Sequence, residues 1–294
     1  MMKALFIHAH FDDFEFTAAG TFVLWRRRFG PDFRGRVLVC TDGKAGHHFR
    51  SREETGRMRL AEQEASARIG GYEFELLRLP DGATVREGCP QLTLEFVAAL
   101  WKAIRDFEPD YLICPPLPID PLAGIHNDHL NVAEAVRRVA FLINVPHAFT
   151  PEFPADETRS VPCRVPVILT VYDVYMFGAN AADLLVDVGD AWAEIVAMTW
   201  CHRSQVAEWL PWVGRQGARA PASAGEWAES LRLRYERQNH GLGVASKRPV
   251  EAFRVTAWGA VPELDRLLAD FPPLLPEATD LAALRERLAL WREA

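Results

Sequence analysis

Near the start of the chain, His10-Phe11-Asp12-Asp13-Phe14-Glu15 places one imidazole and three carboxylates within six residues. A neutral imidazole nitrogen and a carboxylate oxygen are both good zinc ligands, and a tight turn lets His10 and Asp13 converge on one ion. Neighbouring residues on a turn point apart, so Asp12 is free to face a metal-bound water and take its proton as general base. The same cluster also reads as a solvated acidic turn capping the next helix. A second polar run ends in His126-Asn127-Asp128-His129. His126 and His129, three apart at the start of a helix, share roughly one face, with Asp128 beside them as a candidate hydrogen-bond partner. Two surface histidines at a helix terminus are the alternative.

Such groups need a frame that brings them together. Ala4–Ile7, Val37–Cys40, Phe74–Leu77 and Tyr111–Cys114 are short apolar runs that read as buried strands. Between and after them Thr17–Phe29, Glu53–Ile69, Leu92–Phe107 and Asn127–Leu142 read as helices, the third stopped before Pro109. Strands alternating with helices predict a parallel sheet covered on both faces. In such a sheet, ligands sit beyond the carboxyl ends of the strands, where the strand order reverses. Three of the four segments that follow these strands are strongly polar: His8–Glu15, Asp42–Glu54 and Ile119–His129. The ends of the first and fourth strands are neighbours across the switch point, so residues 10 to 15 and 126 to 129 are expected to meet.

The second half is less regular. Asn144–Pro166 carries five prolines and reads as a long loop or insertion. Val167–Phe177 is β-branched and aromatic, as late strands are, and Trp192–Leu210 reads as a helix. Gly217–Gly225 reads as a mobile loop before a final Arg-rich helix. The expected architecture is α/β: a Rossmann-like, doubly wound, mostly parallel sheet with a C-terminal α+β extension. One domain over 1–294 is expected, with its core in 1–143 and the insertion, late strands and last helices in 144–294.

Length and composition fit a globular protein. At 294 residues a fold buries roughly 75% of the unfolded surface. The net charge of -7 disfavours a nucleic-acid partner, and Arg26-Arg27-Arg28 reads as a solvated helix face. The five cysteines show no Cys-x-x-Cys spacing, and Cys40 and Cys114 end buried runs, as reduced thiols of a cytoplasmic protein do. No stretch approaches the roughly 18 apolar residues of a membrane span.

With these residues in view, the chain resembles the LmbE and PIG-L family of zinc-dependent deacetylases, which remove acetyl from N-acetylglucosamine-type amino sugars. That family's signature is Ala-His-Pro-Asp-Asp with a nearby Glu, then a distant His-Pro-Asp-His. Here stand Ala9-His10-Phe11-Asp12-Asp13 with Glu15, and His126-Asn127-Asp128-His129. Further matches follow in order: Thr41-Asp42-Gly43 with Gly46, Arg59-x-x-Glu62, Leu79-Pro80-Asp81-Gly82, Val186-Asp187-Val188, His202-Arg203-Ser204-Gln205 and Glu251-Ala252-Phe253-Arg254. The resemblance implies one zinc ion per chain held by His10, Asp13 and His129, with Asp12 the general base. It implies a cationic His126 as second catalytic group, oriented by Asp128. Arg59 becomes a candidate for binding substrate hydroxyls, against a structural pairing with Glu62. The implied reaction is removal of an N-acetyl group from an amino sugar or its conjugate by a zinc-bound water, with a small-molecule substrate and a possible homo-oligomer.

Two prolines of the signatures are replaced, by Phe11 and Asn127, and Phe11 is a candidate to line the pocket. His47 and His48 read as solvated or substrate-adjacent, His202 as structural or an oligomer contact, and Trp209 and Trp212 as core or interface. The rival readings are an amidase on a larger acyl conjugate, a thiol-sugar or an antibiotic intermediate among them, and a member that binds sugar without turnover. A nucleotide-binding module is disfavoured because no Gly-x-Gly-x-x-Gly follows the first strand.

Overall fold

A computed structural model describes residues 1–158, 162–176, 180–214, 219–275 and 279–293. Seven strands, β1 (Met2–His8), β2 (Phe33–Val39), β3 (Glu73–Leu76), β4 (Tyr111–Cys114), β5 (Val167–Val171), β6 (Leu184–Asp187) and β7 (Val250–Val255), form one sheet in the order β3-β2-β1-β4-β5-β7-β6. β1 to β5 run parallel, and β7 joins β5 and β6 antiparallel. The mostly parallel α/β expectation holds, with the order reversing between β1 and β4. β1 shows why its sequence is a continuous apolar run. Ala4 and Phe6 pack into the core on one face while Leu5 and Ile7 pack into the core on the other, since successive side chains alternate.

The helices are α1 (Asp13–Thr17), α2 (Ala19–Phe29), α3 (Arg52–Gly70), α4 (Leu94–Phe107), α5 (Asn127–Ala140), α6 (Trp192–Cys201), α7 (Leu210–Val213), α8 (Ala224–Gly241), α9 (Leu264–Asp270) and α10 (Leu281–Glu293). α3 begins at a capping box made by Ser51 and Glu54, and Thr93 caps α4. No helix of the described residues is long and apolar enough to cross a membrane.

Three expected elements are corrected. The helix expected over Thr17–Phe29 starts two residues later, at Ala19, because Ala18, whose φ of -144° is not helical, separates it from the short α1. Gly20 and Thr21 then begin a fresh helical end, and its N–H groups donate to the buried carboxylate of Glu251 on β7, at 2.7 and 2.8 Å. The helix expected over Trp192–Leu210 stops at Cys201, because Glu62 of α3 accepts from the Ser204 backbone N and Oγ, and a π-helical turn, Ser204–Trp209, follows. The late strand ends at Val171, where the chain turns at Asp173. Phe177, Gly217 and Ala218, within two of the expected segments, lie outside the described residues. The arginine run is not merely solvated: Arg27 donates to the Asp190 carbonyl and Arg28 to that of Phe271.

Candidate metal centre and pocket

The β1–α1 turn and the start of α5 meet beyond the carboxyl ends of β1 and β4. His10 and His129 face each other, Nδ1 to Nε2, at 3.1 Å. Asp13 offers Oδ2 to His10 Nδ1 at 3.3 Å and Oδ1 to His129 Nε2 at 3.5 Å. Donors 2.0–2.1 Å from a tetrahedral ion lie about 3.3 Å apart, so the two imidazole nitrogens stand at ligand spacing with one Asp13 oxygen beside each. His8, Asp13 and His129 form a second group whose donor atoms lie within 4.8 Å of one another. The outer nitrogens strengthen the fit. His10 Nε2 meets Asp128 Oδ2 at 3.1 Å, and His129 Nδ1 meets Asp173 Oδ2 at 2.8 Å. When those carboxylates accept the outer N–H groups, both inner nitrogens present lone pairs, which only a shared cation satisfies.

In the bare protein, protons supply that positive charge. Burial opposes it, but Asp13, with Asp173, raises His129 to about 9, and Asp13 and Asp128 hold His10 well above its usual value. Asp13 itself is held well below the ordinary carboxylate range against burial, chiefly by the charges of His8 and His129. Its Oδ2 also accepts from the His10 backbone N at 2.7 Å and meets His8 Nδ1 at 2.5 Å.

Asp12 lines the same pocket, almost fully buried, with a left-handed φ of 100°. Burial first, and then the charge of Asp13, raise its carboxyl to about 7, the range in which a general base works at neutral pH. Glu15, the third carboxylate of the run, turns away into the core. It accepts from Gln63, Ser66 and Tyr72 and stands 3.3 Å from the buried His202, which excludes His202 from any oligomer contact.

Several expected roles are corrected. Asp128 does not orient the His126 ring with its carboxylate, which is spent on His10 and on the Gly88 backbone N at 2.7 Å. Instead His126 Nδ1 accepts from the Asp128 backbone N, as the cap of α5. A ring accepting through Nδ1 is neutral, and without an ion, burial together with the charges of His10 and His129 lowers His126 to about 4, against the cationic form expected of it. Its ring stacks on His129 with centroids 4.6 Å apart, and its donor atom also groups with those of His10 and His129. Arg59 is buried, donates to the Gly46 carbonyl and borders neither pocket described below. It makes no ion pair with Glu62, whose carboxylate binds Ser204. Phe11 does not line the pocket; it packs on Phe74 in the space left by Gly43. His47 is tucked against Glu208, and His48 stacks on Trp212, which stacks on Trp209.

Sequence reasoning missed His8, Asp173 and Arg234. His8 carried the only advance signal, a histidine ending an apolar strand beside the acidic turn. Beside His8, Asp12, Asp13 and His129 lies an inner pocket of about 40 Å³. It shares Tyr172, Tyr175, Leu210, Arg234 and Gln238 with a larger cavity of about 600 Å³.

A mostly parallel α/β sheet with a histidine and carboxylate pocket at its switch point defines the class of this protein. The family model for GlcNAc-PI de-N-acetylase (PIG-L) matches residues 5–140, the part that carries both histidine clusters, and so establishes the resemblance to the LmbE and PIG-L deacetylases. No curated protein matches the chain. Among solved structures, N,N'-diacetylchitobiose deacetylase from Pyrococcus horikoshii superposes with a TM-score of 0.64 at 21% identity, covering 86% of this chain and 83% of that one. The 4-carboxy-2-hydroxymuconate hydratase GalB from Pseudomonas putida KT2440 gives 0.62 at 15%, covering 87% and 96%. The teicoplanin deacetylase Orf2, in its zinc-inhibited form, gives 0.51 at 14%, covering 87% and 99%. At these identities the likeness is one of fold.

Proposed function

We propose that this chain is a zinc-dependent N-deacetylase that hydrolyses the N-acetyl group of an amino sugar or amino-sugar conjugate. Because the fold also serves a hydratase, the reading rests on the residues rather than on the sheet. The observation that carries it is the facing pair His10 and His129, each backed by a carboxylate and joined by Asp13. A zinc ion held by these three would polarise the acyl carbonyl and acidify the attacking water. Asp12 takes the proton of that water and passes it towards the departing amine. Neutral His126, with its proton on Nε2, donates a hydrogen bond to the developing oxyanion. Asp128 and Asp173 keep the two ligand imidazoles in the required tautomer.

The cavities favour a small acyl group on a large amine. One water needs about 10–15 Å³ of such space, so the inner pocket holds about three heavy atoms, the number in an acetyl group. The outer cavity falls in the range of small-molecule sites. The test is metal content of the purified protein together with acetate release from N-acetylated amino sugars, with His129→Ala as control. One zinc per chain and zinc-dependent acetate support the reading. Zinc without acetate redirects it to a larger acyl conjugate, and no metal after zinc is supplied refutes it.

A further inference from the structure

The two cavities differ in charge. The inner one is bordered by the carboxylates of Asp12, Asp13 and Asp173, whereas the outer one is bordered by Arg219, Arg234 and Arg237 and, among the described residues, by no Asp or Glu. Arg234 borders both. It is half-buried over the Phe16 ring, 4.2 Å from its centroid, and among the described residues no carboxylate lies within ion-pair distance and no hydrogen bond holds it. Arg237, almost a turn further along α8, donates only through Nε to the Leu233 carbonyl. Arg232 on the same helix is paired with both Glu229 and Glu236, so the unpaired cations of α8 are the ones that border the cavity.

A half-buried guanidinium with five unused donors is matched by a carboxylate or phosphate, which it grips through two parallel bonds. Trp227, Tyr172 and Tyr175 add apolar wall around it. We propose that this wall recognises an anionic group, carboxylate or phosphate, on the amine-bearing part of the substrate, and that Arg234 is the specificity-determining contact. The inference rests on the deacetylase reading for which part of the substrate occupies the outer cavity. The inner pocket has room for an acetyl group and not for a charged acyl chain, so the anion belongs to the amine side.

The test measures binding rather than turnover, by calorimetric titration of the purified protein with glucosamine, glucosamine 6-phosphate and muramic acid. At least one anionic amine is expected to bind about 10- to 100-fold more tightly than glucosamine. The ratio should fall to about one in Arg234→Gln and survive in part in Arg234→Lys, which keeps the charge but not the fork. Preference for the phosphate or for the carboxylate names the group. Anionic amines that bind no more tightly than glucosamine, absence of binding included, overturn the proposal, as does a preference that persists in folded Arg234→Gln. The wild-type comparison stands even where the variant fails to fold, and Arg237→Gln, an exposed position, then supplies the second variant. Because no acetate is measured, failure of the deacetylase reading shows separately in the acetate assay.

Discussion

His10 and His129 point Nδ1 at Nε2 across 3.1 Å, while each holds a carboxylate, Asp128 or Asp173, on its far side. If those carboxylates fix the tautomers, removing their charge weakens metal binding without touching a ligand. Asp173→Asn is therefore expected to lower zinc affinity about 10- to 100-fold, read by competition with a chromophoric chelator. Unchanged affinity would remove Asp173 from the metal site.

The same pair sets a pH dependence. His129 rises from 6.5 in the unfolded chain to about 9 in the metal-free fold, so its contribution is complete below pH 6.5 and lost as pH climbs through 9. Metal-free protein should lose on the order of 3 kcal/mol across that window by urea titration, and His129→Gln should flatten the loss. Zinc affinity should move the opposite way, rising with pH, because the ion displaces those protons. A wild-type curve parallel to that of the variant would contradict the assignment.

Asp12 combines a base's pKa with a left-handed backbone. Asp12→Asn should keep zinc and lose about 10²- to 10⁴-fold in kcat. Asp12→Gly should lose activity equally yet melt no lower than wild type, since glycine accepts φ of 100° without strain. Zinc loss in the Asn variant, or a large drop in the melting temperature of the Gly variant, would count against this account.

Gly43 and Phe11 occupy one space. A Cβ on Gly43, itself at φ of 62°, would lie 2.5 Å from Phe11 Cδ2. Gly43→Ala should destabilise by about 1–3 kcal/mol, and part of that cost should vanish in the Phe11→Ala background. Strict additivity in the double-mutant cycle would show that backbone conformation alone sets the cost.

Glu251 ties β7 to the start of α2 through Gly20 N, Thr21 N and Thr21 Oγ. Glu251→Gln puts an amide donor against one of these donors and should cost about 1–3 kcal/mol in urea unfolding. A change within a few tenths of that unit would mean the bonds are readily replaced.

What the sequence revealed is what it wrote contiguously. The acidic turn and the His126–His129 pair are local, and the alternation of apolar runs with helices brings them to one switch point. Asp173 was silent because it reaches His129 across 44 residues from a turn with no pattern of its own. Arg234 was indistinguishable from its helix neighbours until the structure showed Arg232 paired with Glu229 and Glu236 and Arg234 facing the cavity. The breaks at Ala18 and Cys201 escaped detection because distant carboxylates, Glu251 and Glu62, make them. Local propensity cannot report a partner 231 or 142 residues away. The same carboxylates belong to two of the segments that carry the family resemblance, and in the structure they hold helices in place.

The anchoring of α2 by Glu251 also orders events in time. On the ribosome, the strand that steadies the helices behind His10 and Asp13 is synthesised some 230 positions after Thr21, the helix residue it holds. The histidine and carboxylate turn is therefore made well before the contact that steadies it, and takes its final setting only once β7 has joined the sheet.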